Sequence, residues 1–185
     1  WPDNDGEYYI MTGTRSGVIK KTDLRLFRNP RQGGIIAAGV ADDDAVIAAE
    51  ITDGQGEIFL GTSRGKAIRF PERDVRPMGR TAHGVRGIRL RAGDEVVGMA
   101  VVRSGGAVLT VTEHGYGKRT ELNEYRSQSR GGVGIITIHT TLRNGRVAGV
   151  EYVEEEDELM LITQKGKVLR MDTKDVRPIG RATQG

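Results

Sequence analysis

The heptapeptide DVRPMGR at Asp74–Arg80 returns as DVRPIGR at Asp175–Arg181 with one substitution, and a chain that repeats itself has few folds open to it. Aligned on itself, the sequence shows four related segments: GTRSGVIKKTDL from Gly13, GTSRGKAIRFPE from Gly61, VTEHGYGKRTEL from Val111 and ITQKGKVLRMDT from Ile162. Each carries Thr-x-x-Gly, at Thr14/Gly17, Thr62/Gly65, Thr112/Gly115 and Thr163/Gly166, and the glycines lie 48, 50 and 51 residues apart. The repeats run over about 7–54, 55–104, 105–156 and 157–185, the last stopping midway.

Within each repeat the pattern is that of a β-hairpin. A short apolar run, such as Ile58-Phe59-Leu60 or Leu159-Met160-Leu161-Ile162, meets a turn whose glycine takes a positive φ, and a second strand returns. Four residues after each turn glycine stands a cation: Lys21, Arg69, Arg119 and Arg170. A glycine-rich basic loop follows (NPRQGGII, VRPMGRTAHGVRGI, YRSQSRGGVGI, VRPIGRATQG). In the first three repeats an acidic turn and another apolar strand come after it. About 50 residues with four short strands is the size of a propeller-type blade, and no sustained i, i+3, i+4 apolar pattern offers helices instead. Twenty-seven glycines and only five prolines in 185 residues read as turn punctuation in such a fold. The expected architecture is all-β, with three complete four-stranded antiparallel blades and part of a fourth. Three and a half blades do not close a ring, so the chain reads as a piece of a larger domain.

Most chemistry is excluded by what is missing. There is no Cys, hence no disulfide, thiolate metal site or Cys nucleophile, which fits a reducing cytoplasm. No apolar run approaches the roughly 18 residues of a spanning helix, and Trp1-Pro2-Asp3-Asn4-Asp5 is unlike a signal peptide. Gly61–Lys66 is one residue short of a phosphate loop, and Ala67 stands where a metal-binding hydroxyl belongs. His83, His114 and His139 lack metal-ligand spacing, and Glu154–Glu158 lacks the alternation of a calcium loop. No metal, cofactor or catalytic residue is expected.

Charge is what recurs. From Arg64 to Arg91 nine basic residues face only Glu72 and Asp74, although the net charge is a mild +3. One strand cation solubilises an edge. Four at one register, each followed by a basic loop, suggest a positive belt suited to duplex phosphates, and scarce aromatics argue against single strands.

SRGKAIRFPERDVRPMGRTAHGVRGIRL and HGYGKRTELNEYRSQSRGGVGI resemble the C-terminal domain of bacterial DNA gyrase A, and the likeness spans essentially the whole chain. It implies a β-pinwheel, a propeller variant that exchanges strands between blades, with this chain matching the later blades. It further implies a non-catalytic domain that binds and wraps duplex DNA around a basic rim. That wrapping supports ATP-dependent negative supercoiling by a cytoplasmic, chromosome-associated topoisomerase. The partners implied are duplex DNA, the rest of gyrase A, and gyrase B, with no membrane; ATP and Mg are used elsewhere in the parent. Carried over, the rim candidates are Lys20, Lys21, Arg69, Lys118, Arg119 and Arg170, and the loop candidates Arg76, Arg80, Arg130, Arg177 and Arg181. The family's Gln-Arg-Arg-Gly-Gly-Lys/Arg-Gly box has only a degenerate counterpart, Gln128–Gly134, with two of three basic positions replaced. The alternatives are the matching domain of topoisomerase IV, or a propeller that binds a protein or ligand by its central face.

Overall fold

The computed structural model describes residues 7–185, and Trp1-Pro2-Asp3-Asn4-Asp5 lie outside them. Among the described residues thirteen strands follow in order: β1 Tyr9–Thr14, β2 Val18–Asp23, β3 Val46–Thr52, β4 Glu57–Thr62, β5 Lys66–Pro71, β6 Val85–Arg86, β7 Val96–Val102, β8 Ala107–Thr112, β9 Gly117–Glu121, β10 Ile135–Ile136, β11 Val147–Val153, β12 Glu158–Ile162 and β13 Val168–Asp172. Helix among the described residues is limited to four 3-10 turns, Leu24–Phe27, Glu72–Asp74, Leu122–Glu124 and Thr173–Asp175, and none is long and apolar enough to cross a membrane.

The sheets run β3-β1-β2-β6, β10-β5-β4-β7, β11-β8-β9 and β12-β13. Two blades therefore have four strands, one has three and one has two, where three four-stranded blades were expected. The reason is exchange: β6, from the second repeat, completes the first sheet on β2, and β10, from the third repeat, completes the second on β5. A blade's outer edge is thus supplied by the repeat that follows it. β7 lies between β3 and β11 and packs against both.

The four turn glycines have φ of 84°, 76°, 80° and 76°, as the hairpins require. The carbonyls of Gly17 and Gly65 also accept N–H groups from the next repeat, Gly87 at 2.8 Å and Thr137 at 2.9 Å, so each turn is an inter-blade anchor.

Period-two alternation explains why the strands are apolar on both faces. Ile58 and Leu60 of β4 pack with Met11 and Ile19 of the first repeat, whereas Phe59 between them packs with Val108, Leu122 and Tyr125 of the third. Phe59 meets Tyr125 edge-on at 4.9 Å between ring centroids. Each such buried side chain contributes about 1.5–3 kcal/mol. The second sheet has no solvent face, sandwiched as it is by its neighbours, whereas the fourth leaves Met160, Ile162, Val168 and Leu169 exposed.

Candidate nucleic-acid interface

The cations at the repeated strand register do not form an outward belt. Lys20, Lys21, Lys118 and Arg119 are 2%, 5%, 0% and 9% exposed. They look into the junction between blades, because the loop of the following repeat lies over the strand that carries them. Lys20 Nζ donates to the carbonyls of Ala37 (2.8 Å) and Arg80, and Lys118 Nζ to those of Gly180 (2.7 Å) and Arg181 (2.6 Å) and to Thr183 Oγ1 (3.1 Å). Burial lowers the Lys118 pKa to about 8; Glu124 pulls it back up and Arg181 pushes it further down. Burial lowers that of Lys20 too, with the Arg80 charge adding to the effect.

One register position further along, the cations are held by carboxylates or carbonyls. Lys21 Nζ sits 3.2 Å from Glu72, which is fully buried, and 4.7 Å above the Tyr9 ring. Arg69 pairs with Glu57 of its own sheet and donates across the junction to Leu122 O (2.9 Å) and Tyr125 O (3.1 Å). The Arg119 Nε is buried without a partner, beside a groove of about 310 Å³ that Glu121, Glu154 and Glu155 also border. Only Arg170 is exposed, paired with Glu158 at 2.6 Å.

The loop cations behave differently. Arg76 and Arg177 are exposed and unpaired among the described residues. Arg80, Arg130 and Arg181 are half-buried, and each donates Nη1 to a carbonyl of the preceding repeat: Ile36 (2.6 Å), Arg86 (2.8 Å) and Ile136 (2.8 Å).

Strand-register reasoning passes over a second set of cations. Arg64, Lys66, Arg73, Arg86, Arg89, Arg91 and Arg126 are exposed, Lys66 partly so, with no ion pair among the described residues. The charge run from Arg64 to Arg91 is the signal for all of these but Arg126. Lys66, Arg89 and Arg91 border one shallow groove, and Arg64 lies beside it against Gly93. The one carboxylate there, Asp94, is committed to the turn: it accepts from Thr62 Oγ1 (2.9 Å), Ser63 Oγ (3.0 Å) and the backbone N–H of Arg64 (3.0 Å). The charge of these side chains is therefore left facing solvent, which is what attracts a polyanion.

A family model described as "DNA gyrase C-terminal domain, beta-propeller" matches residues 8–53, 56–103, 107–154 and 157–185. DNA gyrase A of Haloquadratum walsbyi is 49% identical over 185 residues; the match takes in 99% of this chain and 22% of that protein, so the chain spans about a fifth of its relative. Among solved structures, the C-terminal domain of DNA topoisomerase IV superposes with a TM-score of 0.93 at 28% identity, covering all of this chain and 58% of that one. The DNA gyrase A C-terminal domain gives 0.89 at 30% identity, covering all of this chain and 62% of that one.

Proposed function

The chain belongs to the DNA gyrase C-terminal domain family, and from that membership we propose that it binds and bends duplex DNA on its outer loops, without sequence preference. The observation that carries this is the division of its charge. Lys20, Lys21, Lys118 and Arg119 are buried in the junctions, while Arg64, Lys66, Arg73, Arg76, Arg86, Arg89, Arg91, Arg126 and Arg177 have no acidic partner among the described residues. Phosphate contacts of this kind fix position and carry no base information. Bending a site of 20–30 base pairs costs about 1–6 kcal/mol, which those contacts must supply. β3 and β11 carry Glu50 and Glu151, whose carboxyls burial pushes up, the Glu151 charge adding to the effect on Glu50; acidic groups along those strands favour the basic outer loops over a central-face reading.

In the parent topoisomerase this chain is a non-catalytic element of ATP-driven negative supercoiling. ATP and Mg are used elsewhere in that enzyme, the partners are the rest of gyrase A together with gyrase B, and the setting is the cytoplasm on the chromosome. A topoisomerase IV counterpart shares the fold, but the greater identity to gyrase A favours gyrase.

If about four to six phosphates are neutralised, log K falls with log salt at a slope of about −4 to −5. The test reverses Arg89 and Arg91 to Glu together and measures two unrelated duplexes across salt. Affinity should drop about tenfold or more for both alike, with the slope shallower by about 2. Unchanged binding overturns the proposal.

A further inference from the structure

Three arginines repeat one geometry that plain charge does not require. Arg80, Arg130 and Arg181 follow one another at steps of 50 and 51 residues, and the carbonyls they grip, on Ile36, Arg86 and Ile136, at steps of 50. Arg86 and Ile136 lie in β6 and β10, the exchanged strands that close the outer edge of the first two sheets. Each is preceded by a positive-φ glycine, Gly84 and Gly134, and Ile36 follows Gly34 in the same way. In every case Nη1 makes the bond, while Nη2 has no partner among the described residues. The backbone of two of these arginines is itself clamped, since Lys20 holds the Arg80 carbonyl and Lys118 that of Arg181.

Building on the duplex-binding reading, we propose that Arg80, Arg130 and Arg181 are positioning residues that couple DNA phosphates to the angle between blades. A guanidinium is planar and stiff, with its N–H groups in a fixed fork. A phosphate bonded to Nη2 is therefore held in a set relation to the carbonyl bonded to Nη1, and so to the edge strand of the preceding blade. Three such forks in series make the path of the duplex and the stacking of the blades one geometrical quantity. A lysine ammonium has no such plane and transmits no angle.

The experiment compares Arg130→Gln and Arg130→Lys with Arg126→Gln, an exposed loop arginine that holds no carbonyl. Affinity across salt is read with the end-to-end distance of a doubly labelled duplex by energy transfer. Arg126→Gln should make the salt slope shallower by about 1 and leave the bend of the bound duplex unchanged. Arg130→Gln should lose the same slope and also straighten the duplex. Arg130→Lys, which keeps a donor for the Arg86 carbonyl and so the fold, should hold the slope and still straighten the duplex. The inference is overturned if Arg130→Lys bends DNA as the unaltered chain does, or if Arg130→Gln changes only thermal stability. Failure of the unaltered chain to bind any duplex would instead remove the DNA reading on which this one rests.

Discussion

The junction between the first and second blades and that between the second and third are built on one plan and neutralised in opposite ways. In the first, Lys21 reaches across to Glu72 of the next repeat, and Thr52 adds a hydroxyl donor to the same carboxylate at 2.6 Å. In the second, Leu122 stands where Glu72 does, and Arg69 turns back to Glu57 of its own sheet while giving its other N–H groups to carbonyls across the junction. Lys20 clamps carbonyls in the first junction; its counterpart in the second, Ile68, is apolar and buried in the core. The repeat fixes where a cation stands, and the residue offered by the neighbouring blade decides what neutralises it. A strand-register cation is in this fold a device for joining blades.

Breaking the first junction should have the largest effect. Lys21→Met leaves Glu72 charged and fully buried with no cation, at a cost of about 3–5 kcal/mol. Adding Glu72→Leu imports the chemistry of the second junction and should recover most of that loss, short of about 1 kcal/mol for the Thr52 hydroxyl left behind. Urea unfolding of the single and double variants measures both. A single variant as stable as the parent would show that the pair does not hold the junction.

The third junction sharpens the contrast, because it has neither solution. Arg119 finds Ala107 at the register of Glu57 and Thr173 at the register of Glu72. Both the Arg119 Nε and the Thr173 Oγ1 are buried without partners. Thr173→Glu should remove the orphan hydroxyl and supply the missing acceptor, raising stability by about 1 kcal/mol after desolvation. No gain in the thermal midpoint would mean that Glu121, Glu154 or Glu155 already neutralises Arg119 across their shared groove.

The repeat, its hairpins and the positive φ at Gly17, Gly65, Gly115 and Gly166 are all legible in the residues, because each is a local demand of turn chemistry. The role of Lys20, Lys21, Lys118 and Arg119 is not. Alternation along a strand says which side chains share a face, but not what covers that face. Here the cover comes from loops such as Arg76–Arg80 and Arg177–Arg181, which lie about 55 to 63 residues downstream in the next repeat. The same strand exchange leaves the third sheet with three strands where local counting expects four. Arg86, Arg89 and Arg91 are visible as charge and escape notice as a site, since they follow no strand register.

Lys118 offers the smallest effect and a clean contrast with Ile68, its apolar counterpart. With its folded pKa at about 8 and an unfolded value near 10.4, the folded protein gives up this proton first. Between those two values the unfolded chain holds more protons than the native one, so stability rises with pH across that window. The contribution should be only about a few tenths of a kcal/mol between pH 7 and 8, growing above that. Deprotonation leaves the amine two N–H groups for three acceptors, Gly180 O, Arg181 O and Thr183 Oγ1, so one contact lengthens as the charge is lost. Nitrogen-15 NMR of the lysine amines from pH 7 to 10 checks this: Lys118 should titrate about two units below the ordinary lysine value, and Lys118→Ile should remove that early step. A Lys118 amine still charged at pH 10 would show that its three acceptors outweigh burial, and the pH dependence assigned to it would vanish.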